Sequence, residues 1–288
     1  MAMDKRILWA VIVVVVAGIA VALYPRQVAE PPEVELPPPQ ARPAPPPDAA
    51  PDAGAQAPDP LEPAPEPEPE PQFATEAATA TPAESPPLPA LDESDARARE
   101  VLAETTGAEL VEEHLAEEQV IRKLVTTVDN LAGENVWIKA RAVPPVGGPF
   151  LAGGSEEAPV LGPRNFARYD PIFRMVEQVD TSALATAYRR HYPLLQQAYE
   201  ELGYPGRQFH TRALAIIAHL LSTPDVRGPI PLERPHVLYR YADPELESLS
   251  SGQKIMLRIG PANRAIAIEK LIELRAALEE PSAATGAD

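Results

Sequence analysis

Two groups of carboxylates have the spacing that acid–base chemistry on a glycosidic bond would use. Glu200 and Glu201 adjoin at the end of a helical stretch, just before Gly203. Asp243, Glu245 and Glu247 alternate after the tyrosine-rich run YRYA. Glycan cleavage needs one well-placed carboxylic acid or two flanking the scissile bond, which makes Glu200 and Asp243 the candidate acids. Acids at helix ends also serve capping and the helix dipole, so both roles stand open. The segment VLYRYADPELESLSSGQK offers a different chemistry. Arg240 lies between two phenols, Tyr239 and Tyr241, and these three are the candidate binding residues. The guanidinium has two uses: pairing with a carboxylate of its own segment, or facing a ligand or partner.

Other chemistries lack their residues. No Gly-rich phosphate loop, GxSxG elbow or HExxH occurs in the sequence. The run HLAEE at residues 114–118 resembles an inverted zinc-protease motif, but Glu118 stands where the second histidine belongs. It reads as a solvated acidic helix face. His210 and His219 are nine residues apart, on opposite faces of one helix. No metal site and no cofactor is expected. With a net charge of −17, nucleic acid is not an expected partner either.

The elements that must position these residues are mostly helices. Asp92 or Ser94 can cap a helix ending at Gly107. Val120, Ile121, Leu124, Val125 and Val128 form the next helical stripe. Residues 136–161 carry β-branched and aromatic residues with Gly-rich turns, the pattern of short strands or a hairpin. Asp170 can cap a short helix with Pro171 at its first position. The following helix, about 181–202, presents Tyr188, Tyr192, Leu195, Tyr199 and Leu202 on one face, a stripe expected in the core. Pro193 should kink or split it. Residues 209–221 form another helix. The stretch GPIPLERPHVLYRYADP, with prolines every few residues, reads as extended or turn-like. Short helices should follow Pro244 and Ser251. Gly260 can end the second and Pro261 can open a last helix to about Glu279. Ile268, Leu271, Ile272 and Leu278 form its apolar stripe, which should pack on the rest of the domain, with Glu273 filling a position between. The stripe keeps no strict heptad, so it sets no oligomeric state.

The N-terminal third is of another kind. Residues 7–24, ILWAVIVVVVAGIAVALY, are free of charge. Such a helix is about 27 Å long, enough to cross a hydrocarbon core of roughly 30 Å. Ala20-Val21-Ala22 has the small-x-small form of a cleavage site but lies inside the apolar run rather than after it. Trp9 and Tyr24 sit where aromatics favour the membrane interface. Lys5 and Arg6 precede the span and Arg26 alone follows, so residues 1–6 are expected in the cytoplasm and the rest outside it. In a Gram-negative cell that is the periplasm. Of 37 prolines in the chain, 22 fall within residues 25–89. That stretch includes EPAPEPEPEPQ and has almost no large apolar residues to bury, the composition of a disordered, extended linker over residues 25–90. A folded, mainly helical domain with a small β-hairpin insertion is expected over residues 91–279, and a frayed tail over 280–288.

The stretches LVTTVDNLAGE, NFARYDP, YRRHYPLLQQAYEELGYPG, HVLYRYADPELESLSSGQK and LRIGPAN carry a resemblance. In content and order they resemble an uncharacterised bacterial family catalogued as domain of unknown function 3014. The resemblance implies an N-terminal anchor and a Pro-rich linker, and brings no catalytic or binding residue with it. The reading that follows is a membrane-anchored envelope protein working as a periplasmic binding or scaffold module. Its possible partners are an envelope protein or peptidoglycan. The alternative is an envelope enzyme acting on peptidoglycan.

Overall fold

The computed structural model describes residues 87–280 except 107–110, 113–114, 135–141, 143–145, 147–148 and 237, together with Pro69 and Pro71. The apolar span 7–24, most of the linker, His114, most of VWIKARAV and the tail 281–288 lie outside the described residues. No helix among the described residues is long and apolar enough to cross a membrane.

The chain joins the helical core at Leu88 and makes one 3-10 turn, Leu91–Glu93. Helix α1, Asp95–Thr106, follows. Ser94 precedes it, but its hydroxyl turns back and donates to the Leu91 carbonyl at 2.7 Å. Asp95 looks outward to the next helix. Its two carboxylate oxygens accept from the backbone N–H groups of Gln119 and Val120, each at 2.8 Å. Those are orphan donors at the start of α2, Val120–Asn130. The predicted stripe of α2 is buried in full. Gln119 is held at φ 56°, in the left-handed region, by these bonds.

Strands β1 (Ala152–Gly154) and β2 (Pro159–Leu161) form the expected hairpin. The structure adds β3 (Ile230–Glu233) and β4 (Arg240–Tyr241), giving an antiparallel sheet in the order β1-β2-β3-β4. Both added strands come from the proline-rich stretch expected to be merely extended. Ile230 and Leu232 are buried on either side of exposed Pro231, the period-two pattern of a half-buried strand. Pro231 lacks only a donor; its carbonyl still accepts from Ala242 N at 3.1 Å.

Between β2 and β3 lie α3 (Pro163–Phe166), α4 (Asp170–Glu177), α5 (Thr181–Glu201) and α6 (Phe209–Leu221). Asp170 is not the cap of α4. It is the first helical residue, Tyr169 takes the cap position, and Asp170 Oδ1 accepts from Asn263 at 2.9 Å. Helix α5 continues through Pro193 and is not split there. The ring forfeits one internal bond, a cost of about 3 kcal/mol, and α5 recovers it by packing along α2 and α9. Tyr188, Tyr192, Leu195 and Tyr199 are buried as expected, but Leu202, one residue past the helix, is exposed.

After β4 come α7 (Pro244–Glu247), α8 (Ser251–Arg258) and α9 (Gly260–Glu279). A capping box of Ser250 and Gln253 starts α8. The α8 donors also meet the end of α2: Ser251 N reaches Gly133 O at 2.8 Å and Gly252 N reaches Leu131 O at 2.9 Å. A Cβ on Gly252 would lie 2.8 Å from that Leu131 oxygen, so only glycine permits this approach. Helix α9 packs against α5 and α4 through Ala267, Leu271, Leu274 and Leu278. Ile268 is half-buried, and Ile272, expected in the stripe, is 54% exposed. At 100° per residue Ile272 turns away from the face that Leu271 presents.

Two apolar clusters result. The larger is helical; the smaller joins Leu161, Ile230, Leu232 and Tyr241 of the sheet to Leu246 and Leu257.

Candidate functional site

The short strand β4 separates the three candidate binding residues. Tyr241 is 2% exposed and belongs to the core of the sheet. Its hydroxyl donates to Lys254 O at 3.1 Å, and burial pushes its pKa up to about 12. Arg240 points the other way, as alternation requires. Its Nε donates to Glu233 Oε1 at 2.5 Å across the β3–β4 ladder, with both side chains about half exposed. Tyr239 is half-buried. Its ring packs on Phe150 at 5.5 Å between centroids, and the Arg234 guanidinium lies 5.4 Å from its centre. Leu238 beside it is 42% exposed. Phe150, Arg234, Leu238 and Tyr239 thus form an aromatic, cationic surface at the sheet. Sequence reasoning found Tyr239 and Arg240 but missed Phe150 and Arg234, which lie far from β4 or across a turn from it.

The carboxylates have structural partners. Glu200 is exposed near the end of α5 and accepts from Gln196 Nε2 at 2.9 Å, one turn back. Glu201 accepts from Arg122 Nε at 2.8 Å, and that guanidinium holds its carboxyl below the usual range. Arg122 also reaches Asp92 at 2.8 Å, tying the first turn of the domain to α2 and α5. Asp243 caps α7, accepting from Glu245 N at 2.9 Å. Glu247 takes Lys254 Nζ at 3.1 Å and Tyr241 N at 2.9 Å. Glu200 and Asp243 therefore stand at the end of one helix and the start of another, each exposed and bonded within its own turn.

Two further joints use residues that sequence reasoning did not single out. Asn165 is fully buried. Its amide donates to Arg258 O at 3.2 Å, and its oxygen accepts from Leu151 N at 3.3 Å and Arg168 at 3.1 Å. Asn263 places its amide within reach of Phe166 O, Asp170 Oδ1 and Ile259 O, at 3.3, 2.9 and 3.0 Å. These two asparagines lock NFARYDP to LRIGPAN. At the other joint, Arg212 donates to both the carboxylate and the carbonyl of Asp129, at 2.7 and 2.8 Å. Tyr204 adds a bond to the same carboxylate at 3.2 Å and stacks on Tyr199, with ring centres 4.7 Å apart. An asparagine within a short motif, flanked by helix breakers, is the signal that would have marked such joints.

Among the described residues no group of three His, Cys, Asp or Glu side chains is placed to hold a metal ion. His219 bonds Ser250 at 2.8 Å, and His236 is exposed. His191 is buried beside a cavity no larger than a water molecule, lined also by Pro89, Ser94, Arg97 and Ile121. Burial lowers the pKa of both His191 and His210 to about 4. The unfolded value is 6.5, so between these limits the unfolded chain binds more protons. Stability should therefore be full above pH 6.5 and fall as pH drops toward 4. For His191 the whole window corresponds to on the order of 3 kcal/mol. Urea unfolding at pH 7 and pH 5 should show the loss, and His191→Gln should reduce it. Equal pH slopes for the two chains would refute the assignment.

A family model described as Protein of unknown function (DUF3014) matches residues 120–275, from the start of α2 into α9, and so includes both asparagine locks, the Asp129–Arg212 joint and the sheet surface. No curated protein and no solved structure matches the chain.

Proposed function

From the premise that this chain belongs to the DUF3014 family of proteins of unknown function, we propose that it is a membrane-anchored binding or scaffold module of the bacterial cell envelope. The observation that carries the binding role is the surface of Phe150, Arg234, Leu238 and Tyr239. It combines two packed aromatic rings, a guanidinium and an exposed leucine, on a surface of the kind where aromatic and arginine side chains dominate recognition. The exposed Glu200 and Asp243 lack the enclosed, low-dielectric setting that tunes a catalytic acid, and this favours binding over glycan cleavage.

Anchoring rests on residues 7–24 and their charge flanks. The domain is read as periplasmic and the N-terminus as cytoplasmic. A reporter active only outside the cytoplasm, fused after Leu278, should be active, while a cytoplasm-only reporter should stay silent. The chain should sediment with membranes after a salt wash. A mature N-terminus at Leu23 would show that residues 20–22 are cut and the anchor reading is wrong. In cells, a photo-crosslinker at Leu238 should form adducts with an envelope component, and one at exposed Ile272 should not. Identical adduct patterns at the two positions would remove the binding role from this surface.

A further inference from the structure

We propose that residues 88–106, where the chain enters the domain, form an acid-released latch over His191 of α5. The His191 ring is buried, and the cavity beside it is lined by Pro89 and Ser94 of the entry segment and by Arg97 and Ala98 of α1. Its Nδ1 lies 3.1 Å from the Ala187 carbonyl. A carbonyl only accepts, so Nδ1 carries the proton of the neutral ring and acid places a second proton at Nε2. The imidazolium is costly there. Burial penalises its charge, and Arg97 of α1 and Arg190 of α5 act on it as like charges.

The acids on the covering elements serve other groups. Glu100 pairs with Arg97 at the surface, at 2.6 Å. Asp95 accepts from the N–H groups of Gln119 and Val120, and Asp92 bridges to Arg122 of α2. Glu93 is exposed. Arg99 turns to the carbonyls of Leu115 and Ala116. From α2, Ile121 lines the same cavity, and Arg122 is shared between Asp92 and Glu201. His210 belongs to a different joint: its Nδ1 lies 3.3 Å from the Tyr188 hydroxyl, and Arg189 and Glu279 act on it.

The entry segment is the cover on His191 that can move. Helix α5 packs on α2, α6 and α9, whereas α1 packs on α2 and the 3-10 turn on α5. Release would also let Gln119 leave the left-handed region in which the Asp95 carboxylate holds it. Segments attached in this way open without the whole domain unfolding. Once open, the ring returns to its ordinary value of 6.5, against about 4 when covered. Below pH 6.5 the open form therefore binds more protons, and acid favours it. Opening should become roughly twentyfold more frequent between pH 7 and pH 5. It would lengthen the tether and bare the apolar groove of Ile121 and Leu194 between α2 and α5. The latch itself needs only the folded domain; its exposure to acid outside the cell rests on reading the domain as periplasmic.

The test is hydrogen exchange of the purified full chain in detergent at pH 7 and pH 5, corrected for the pH dependence of the exchange chemistry. The reporters are the amides of Ser94 and Ala98, bonded to Leu91 O and Ser94 O, with the amides of α6 as the core reference. At both pH values the entry segment should exchange faster than α6, and its opening should rise about twentyfold in acid. His191→Gln, which cannot take up the proton, should abolish that rise while the segment still closes at pH 7. Protection of residues 88–106 equal to that of α6 at both pH values would mean that the segment opens only with the whole domain, and would overturn the latch. So would opening indifferent to pH, or an undiminished acid rise in His191→Gln. The first two outcomes are read on the native chain and hold even if the variant fails to fold.

Discussion

Gly260→Ala is expected to lower the melting temperature of the domain by roughly 10 °C. Gly260 closes α8 and opens α9 at φ +84°, and an ideal Cβ there would lie 2.3 Å from Phe166 Cγ. Two costs add. A left-handed backbone conformation costs a non-glycine residue roughly 1–2 kcal/mol, and overpacking against a fixed ring costs roughly 1–3 kcal/mol. Phe166 cannot easily retreat, because its own carbonyl is held by Asn263 and neighbouring Asn165 is buried and bonded to Arg258 O. Gly203 provides the control. It has φ +110° with nothing within 4 Å of a built Cβ, so Gly203→Ala should show the backbone cost alone. Thermal melts of the two variants side by side separate the terms. If Gly203→Ala melts as low as Gly260→Ala, the packing of Phe166 contributes nothing and the account of the joint fails.

Leu271→Ala should cost about 2–5 kcal/mol, a large part of the roughly 5–15 kcal/mol that holds a domain together. Leu271 is 2% exposed, on the face of α9 that meets α5 and α4. Its neighbour Ile272 is 54% exposed, and Ile272→Ala should stay within about 0.5 kcal/mol of the parent. Glu273 falls between these. By sequence it fills a solvent position, and its removal should scarcely be felt. In the fold it accepts from Thr181 Oγ1 at 3.1 Å and Lys270 Nζ at 3.0 Å, and the Lys270 side chain is only 12% exposed. Glu273→Ala leaves that ammonium with the Val179 carbonyl at 3.2 Å, and about 1 kcal/mol should be lost. Denaturant titration of the three variants checks the order. Comparable losses at Leu271 and Ile272 would mean that α9 is rotated from the orientation described.

The helices were legible wherever one apolar period ran between clear stops. Helix α6 begins at Phe209 and ends at Leu221, where the pattern and the following Thr223-Pro224 place it, and the five-residue stripe of α2 is wholly buried. Legibility failed where a local rule met a stronger tertiary one. Pro193 is a helix breaker by itself, yet α5 continues because residues on both sides of it, Tyr188 and Tyr199 among them, are buried in one core. Prolines hid β3 and β4 because their missing donors argue against strands, while the burial of Ile230 and Leu232 argues for them. The candidate site behaved likewise. Tyr239, Arg240 and Tyr241 look alike in a string, but strand alternation sends Tyr241 inward and Arg240 outward. Phe150, eighty-nine positions before Tyr239, enters the surface only through the folding of the sheet.

From residue order alone came the class of fold, the apolar span, the acidic proline stretch and the family, since each depends on composition or on a period within one segment. Helix period and charge bias need no distant partner to be read. The tertiary structure decided which polar residues are joints and which are surface. Asn165, Asn263 and Asp129 are drawn inside because buried backbone and guanidinium groups there require partners. Glu200 and Asp243 remain outside because their own turns already satisfy them. Whether a polar side chain is buried depends on what lies across from it, and that neighbour comes from another part of the chain.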